Sequence, residues 1–297
     1  MAEPIDGRIL KALSGFWYVD TPEGVLECRA RGILRFHGVT PLVGDMARVE
    51  PLGNGKGSLM DLLPRKNAFV RPAVANLDAL VILASAAKPV TDPYLLDRMI
   101  AIAELKDCEP VLCFHKSDMV RAEALADTYR RSGFRVAETS AETGEGVAEL
   151  REMLKGRLCA FTGNSGVGKS SLLNAMEKGL ELETGQISRK LGRGRHTTRH
   201  VELFPLGDGI WAADTPGFAA FEAEDVTLEL KKRLPELFRE FRPYLGECRY
   251  TDCSHVRDAG CAVVAAVEAG AIPLSRHESY VRLHEELRKV ADWSLRN

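Results

Sequence analysis

The chain has 297 residues, of which 45% are hydrophobic and 28% charged, and its formal net charge is −2. That length holds two or three domains with proper cores. The near-neutral charge excludes a general polyanion-coating role, so any nucleic-acid contact must come from local patches. The longest apolar run, Ala79–Ala84, is strand-sized and far too short to span a bilayer. Met1–Asp6 lacks the basic and apolar regions of a secretory signal. Seven cysteines make an odd count, and three of them crowd around one histidine, which favours metal over disulfides. A cytoplasmic protein without membrane contact is expected.

Residues 1–72 are predicted to be all-β. Short stretches such as Gly15–Val19, Val25–Ala30 and Met46–Glu50 are separated by Gly, Pro and Asp turn signals. Five or so strands in this length suit a small closed barrel such as an OB-fold, a class that often binds nucleic acid. Arg29, Arg31, Arg35, Arg65, Lys66 and Arg71 supply either a basic face for RNA or simply a solvated barrel surface. Pro64–Asn67 and Arg71–Pro72 read as the linker out of this domain.

From residue 73 the pattern becomes alternating strands and helices, the signature of a parallel sheet. Leu77–Ala84 and Pro110–Phe114 read as buried strands, and Phe134–Glu138 as a further strand. Pro93–Leu105 and Ala122–Arg131 read as helices. The strand Arg157–Thr162 leads into Gly163-Asn164-Ser165-Gly166-Val167-Gly168-Lys169-Ser170, which is G-x-x-x-x-G-K-[ST], with Ser171 opening a helix behind it. Glycines let backbone N–H groups wrap phosphates, and the helix N-terminus adds partial positive charge. Lys169 reaches the β- and γ-phosphates in this reading, and the Ser170 hydroxyl ligates Mg²⁺. Strands at Val201–Leu206 and Gly209–Ala213 then deliver Asp214-Thr215-Pro216-Gly217, a D-x-x-G loop in which Asp214 serves the metal and Gly217 the γ-phosphate. Thr198, in the loop between, is a candidate Mg²⁺ ligand in the triphosphate state. That loop, Gln186–His200, carries Arg189, Lys190, Arg193, Arg195 and Arg199 with no acid, which makes it a candidate switch and a candidate RNA contact.

His115-Lys116-Ser117-Asp118 is close to N-K-x-D. The Asp118 carboxylate accepts from guanine N1–H and the 2-amino group, donors that adenine lacks at those positions. Lys116 lays its stem along the base. His115 departs from the usual Asn. Ser140-Ala141 matches the S-A loop that supports the base. Ordinary GTPases carry these two elements after the P-loop; here they precede it, so the expected domain is circularly permuted and spans 73–222.

Residues 223–297 are expected to form a helical C-terminal domain, with a charged helix over Leu228–Phe241 broken or kinked at Pro235 and a terminal helix over Ser275–Val290. Between them Cys248, Cys253, His255 and Cys261 form C-x₄-C-x-H-x₅-C. Three thiolates and one imidazole suit a closed, structural, tetrahedral Zn²⁺ site. Cys28, Cys108, Cys113 and Cys159 read as core residues, and His277 and His284 as surface groups.

The permuted order, the barrel in front and the Cys/His cluster behind together resemble the ribosome small-subunit-dependent GTPase A (RsgA) family, bacterial GTPases of late small-subunit assembly. The resemblance covers essentially the whole chain and includes Pro64–Asn67, Gly192–Thr198 and the cysteine spacing. It implies an OB-fold and a zinc domain that grip ribosomal RNA, with GTP hydrolysis stimulated by the small subunit. Phe218 stands where Ras-like enzymes carry a water-orienting Gln. The resemblance points instead to His196, which then either orients water as a catalytic residue or only contacts RNA. A monomer is expected. An RNA-binding scaffold with GTP or GDP as a regulatory ligand is the alternative kept open by Phe218 and His115; Asp118 argues against an ATP-using enzyme.

Overall fold

A computed structural model describes residues 3–30, 40–70, 72–177, 201–213 and 224–290. Strands β1 (Ile5–Leu13), β2 (Phe16–Thr21), β3 (Gly24–Ala30), β4 (Met46–Gly53) and β5 (Lys56–Leu62) close into a barrel in the order β1-β2-β3-β5-β4. β1 pairs with β4 to shut it, and only β3 and β5 run parallel. Period-two alternation turns Ile9, Val19, Leu26, Cys28, Val49 and Leu59 inward as the barrel's own core.

Pro64–Asn67 is a tight joint rather than a loose linker. Arg65 donates through Nε and Nη2 to the two oxygens of Asp45, each at 2.7 Å, and Asp45 is fully buried. Nη2 also reaches the Thr40 carbonyl at 2.7 Å. Lys66 pairs with Asp78 at 3.5 Å, and the Asn67 amide exchanges two hydrogen bonds with the Leu77 backbone. Arg65 therefore fits neither the basic face nor the solvated surface between which the sequence left it, because the buried carboxylate of Asp45 demands a partner. Arg29 stays on the barrel wall, stacked over Phe16 at 4.6 Å. Arg31, Arg35 and Arg71 lie outside the described residues. A short hairpin of β6 (Ala68–Phe69) and β7 (Val74–Ala75) follows the joint.

The central domain contains β8 (Ala79–Ala84), α1 (Pro93–Leu105), β9 (Glu109–His115), α2 (Glu123–Arg131), β10 (Arg135–Thr139), α3 (Val147–Leu154), β11 (Leu158–Gly163), α4 (Lys169–Met176), β12 (Leu203–Pro205) and β13 (Trp211–Ala213). Its sheet runs β10-β9-β8-β11-β13-β12 and is parallel except for the β12 edge. β8 and β11 are buried along their whole length, as strands covered on both faces must be. Val81, Leu83, Val111 and Phe161 pack against α3 and α4 on one face. Leu80, Ile82, Leu112 and Phe114 pack on the other with α1 and α2. α1 begins where the Asp92 carboxylate accepts from the Tyr94 N–H at 3.0 Å, with Pro93 in the first turn. Helix α3 carries no signal in the expectations above.

The C-terminal region comprises α5 (Glu224–Arg233), 3₁₀ turns at Leu234–Leu237 and Arg239–Tyr244, α6 (Ala262–Glu268) and α7 (Leu274–Arg288). The helix expected over Leu228–Phe241, broken or kinked at Pro235, is an α-helix that gives way to 3₁₀ turns around that proline, whose nitrogen has no hydrogen to donate. This region shares its apolar core with α1, through Leu234, Phe238, Phe241, Tyr280 and Leu283. A buried ion cluster closes the seam. Arg276, 1% exposed, donates to Asp97 of α1 at 2.5 Å and to Glu240 at 2.6 Å. Burial lowers the pKa of this guanidinium, but the two carboxylates more than offset it, so the group is held protonated. Arg239 and Arg242 both pair with Glu104 at the other end of α1.

Candidate nucleotide and metal sites

The candidate nucleotide-binding segments converge at the carboxyl ends of the parallel strands, where ligands bind in open α/β sheets. β11 ends in the loop 163–168, β9 in His115–Asp118 and β10 in Ser140–Ala141. These three strands follow one another along the chain, and in the sheet β8 stands between β9 and β11. The sheet therefore assembles what the permuted sequence scatters.

The loop has the backbone that phosphate wrapping needs. Gly166 has φ of +77° and Gly168 φ of +106°, a region closed to ordinary side chains. Ser165 and Gly166 are exposed and Asn164 half-buried, while Val167 anchors the loop in the core below. Gly168 caps the N-terminus of α4, so the helix dipole and its first N–H groups face the same space. Lys169 and Ser171 are half-buried in the first turn, and Ser170 is buried with 9% exposure.

Lys116, at φ +65°, extends across this loop. Its Nζ donates to the Gly166 carbonyl and to the Lys88 carbonyl, both at 2.9 Å. His115 is buried, and its Nδ1 is hydrogen-bonded to Thr139 Oγ1 at 2.9 Å. A Cβ on Gly168 would overlap the His115 ring, so ring and loop are in contact. Burial, and then the Lys116 charge, lower the pKa of this imidazole. Ser117 donates from its N–H to the Thr139 carbonyl at 3.1 Å and from its hydroxyl to Glu145 at 3.3 Å. Glu145 also holds Arg121 at 2.9 Å. Asp118 is exposed beside the cleft. Ser140 is fully buried, and its hydroxyl accepts from the Thr143 N–H at 3.2 Å; Ala141 is half-buried. Thr139 and Glu145, which brace the guanine-reading segment, are residues the sequence reading missed. Thr139 at the end of β10, next to Ser140, was the available signal; Glu145 had none. His196, Thr197, Thr198, Asp214, Gly217 and Phe218, with the whole of Gln186–His200, lie outside the described residues.

The second site is compact. One ligand atom from each of Cys248, Cys253, His255 and Cys261 lies within 4.8 Å of the others. Cys248 Sγ is 3.9 Å from Cys261 Sγ, and the His255 Nδ1 stands 3.5 Å from Cys248 Sγ and 3.6 Å from Cys261 Sγ. Sulfur atoms on a tetrahedron with ~2.3 Å bonds sit about 3.8 Å apart. The cluster has the dimensions of a closed four-donor metal site. The N–H groups of Ala262 and Val264 donate to Cys248 and Cys261 Sγ, each at 3.4 Å. His255 has φ of +59° and its carbonyl is held by His277 Nε2 at 2.8 Å. Tyr280 donates to the Ser254 carbonyl at 2.8 Å. His277 is therefore buried support for a ligand-bearing turn, not the surface group expected; its partner lies across the turn and leaves no local spacing signal. The other four cysteines are buried, as expected of core residues.

The central and N-terminal regions match known families. The RsgA GTPase model matches residues 62–224, and the RsgA N-terminal domain model matches residues 6–59. The small ribosomal subunit biogenesis GTPase RsgA of Caldanaerobacter subterraneus subsp. tengcongensis is 46% identical over 290 residues, 97% of each chain. Its counterpart in Moorella thermoacetica is 44% identical over 95% of this chain and 97% of its own. The crystal structure of YjeQ from Thermotoga maritima superposes with a TM-score of 0.83 at 34% identity, covering 97% of this chain and 100% of that one. The structure of YloQ, a circularly permuted GTPase, gives 0.81 at 33% identity over 97% of this chain and 96% of its own. Among the described residues no helix is long and apolar enough to cross a membrane.

Proposed function

This chain belongs to the RsgA GTPase family, and from that premise we propose that it hydrolyses GTP while bound to the small ribosomal subunit and acts in late maturation of that subunit. The observation that carries the GTP site is the grip of Lys116 on the Gly166 carbonyl. That contact supports a reading in which His115–Asp118 and the loop 163–168 serve one nucleotide. In this reading backbone N–H groups of 163–168 and the Lys169 ammonium hold the phosphates. Asp118 selects guanine by accepting from donors that adenine does not present. Ser140 and Ala141 support the base, and Gly217 meets the γ-phosphate.

Ser170, with Thr198 and Asp214, would hold Mg²⁺, which when bound neutralises charge on the β- and γ-phosphates. His196 orients the attacking water, since Phe218 has no group to do so. The Cys248–Cys261 cluster takes one structural zinc ion, whose bond lengths its donor spacings match. The barrel (1–72) and the zinc-binding domain (223–297), together with the switch loop of the nucleotide domain (73–222), meet ribosomal RNA.

Co-sedimentation with purified small subunits tests the ribosomal part. Retention with a non-hydrolysable GTP analogue and release with GDP are expected. Equal retention in both states, or in neither, contradicts it.

A further inference from the structure

We propose that His115 is a positioning residue that sets the last turn of the phosphate loop, and that it does not itself read the base. The inference rests on the guanine-nucleotide reading and refines it.

The ring is 3% exposed, so it is part of the floor beneath the cleft rather than its lining. One edge is fixed: Nδ1 bonds Thr139 Oγ1 at 2.9 Å, and that hydroxyl lies 3.2 Å from Cys113 Sγ. The opposite edge, Cδ2 and Nε2, presses on Gly168. Gly168 holds φ of +106°; its carbonyl accepts from the Leu172 N–H at 2.9 Å, and the His115 ring packs where a Cβ would sit. Two consecutive side chains thus hold two glycines of one loop: His115 packs on Gly168, and Lys116 bonds the carbonyl of Gly166. The order of contacts runs β10 to β9 to β11, so the imidazole ties the base-supporting strand to the phosphate-binding one.

Removing the ring leaves a gap under Gly168 and a Thr139 hydroxyl without this partner. The loop's N–H groups are then less preorganised for phosphate. Because diphosphate and triphosphate share that cradle, both lose affinity together. Guanine recognition is untouched, since it resides in Asp118. Asn is shorter than His but carries donor and acceptor, so it can satisfy Thr139 and partly fill the gap.

The test uses the full chain and equilibrium binding of GDP, GTP, IDP and ADP. Wild-type preference for GDP over ADP checks the underlying reading; its absence overturns that reading whatever the variants do. Given that preference, His115→Ala is expected to weaken GDP and GTP alike by about tenfold, the loss of one buried hydrogen bond with its packing. The GDP-to-IDP and GDP-to-ADP ratios both stay at the wild-type value, and His115→Asn recovers affinity to within about threefold. Thr139→Val, which keeps the ring and removes its anchor, weakens both nucleotides in the same proportion and adds nothing to His115→Ala. A collapse in His115→Ala of the GDP-to-IDP ratio, which reports the 2-amino group, or of the GDP-to-ADP ratio, which reports the 6-oxo group and N1–H, overturns the proposal and makes the ring a base reader. So does binding unchanged in Thr139→Val, which also decides the matter if His115→Ala does not fold.

Discussion

The two candidate sites are built on opposite plans. The nucleotide site draws on the ends of β9, β10 and β11, which lie 139 − 115 = 24 and 163 − 139 = 24 residues apart along the chain and are brought together only by the sheet. The Cys/His cluster takes all four donors from one stretch, 248 to 261. The first exists because a large core has already folded; its geometry is inherited from strand packing. The second has little apolar core of its own, and its turns at Ser254 and His255 are held by bonds from α7. A metal ion held there would supply what local packing does not.

Removing the metal separates the two most sharply. Structural zinc contributes roughly 10–16 kcal/mol of apparent folding free energy in small domains. Chelation, or Cys253→Ser, is expected to release 248–261 from its fold, seen as new protease sensitivity, while GDP affinity stays within about threefold. Simultaneous loss of GDP binding would show that the sites are not independent.

The next effect tests the seam between them. Arg276→Ala strands two buried carboxylates, Asp97 and Glu240, and should cost about 3–5 kcal/mol in denaturant unfolding. A loss below about 1 kcal/mol would mean that water relieves the pair.

Asp118→Asn probes the nucleotide site alone. It exchanges an acceptor for a partial donor and should weaken GDP by about 10–100-fold, one charge-assisted pair, with melting temperature unchanged. Isothermal titration with GDP reads the effect; an unchanged affinity removes Asp118 from the site.

The smallest effect is a pH dependence. The folded-state pKa of His115 lies below its ordinary value of 6.5. The unfolded chain therefore takes up the proton first on acidification. Above pH 6.5 this contribution to stability is fully present; below it stability falls by up to ~1.4 kcal/mol per pH unit until the folded imidazole also protonates. His115→Asn should flatten that slope by the same amount. Asp118 opposes the shift and Lys116 reinforces it, so neither changes its sign.

Much of this architecture was legible in the sequence, for a reason visible in the residues. Phosphate wrapping requires glycines at fixed spacing, and metal binding requires thiolates and imidazole, so both sites announce themselves locally. The strands read correctly because β8, β9 and β11 are continuous apolar runs. What stayed hidden depends on distant partners. Arg65 looked like surface charge because Asp45, its buried counterion, lies 20 residues away. His277 looked like a helix-surface group because its partner is the carbonyl of His255. Helices α3 and α6 are only 8 and 7 residues long, too short to declare a helical period against their loops. The barrel–sheet joint at Pro64–Asn67 shows the same lesson: a polar tetrapeptide reads as linker until its partners are known.

The most direct measurement is turnover of GTP, with ATP as control, in the presence and absence of purified small ribosomal subunits. Subunit-dependent hydrolysis of GTP, with ATP left intact, is the expected result. GTP hydrolysis indifferent to the subunit, or comparable hydrolysis of ATP, would contradict it.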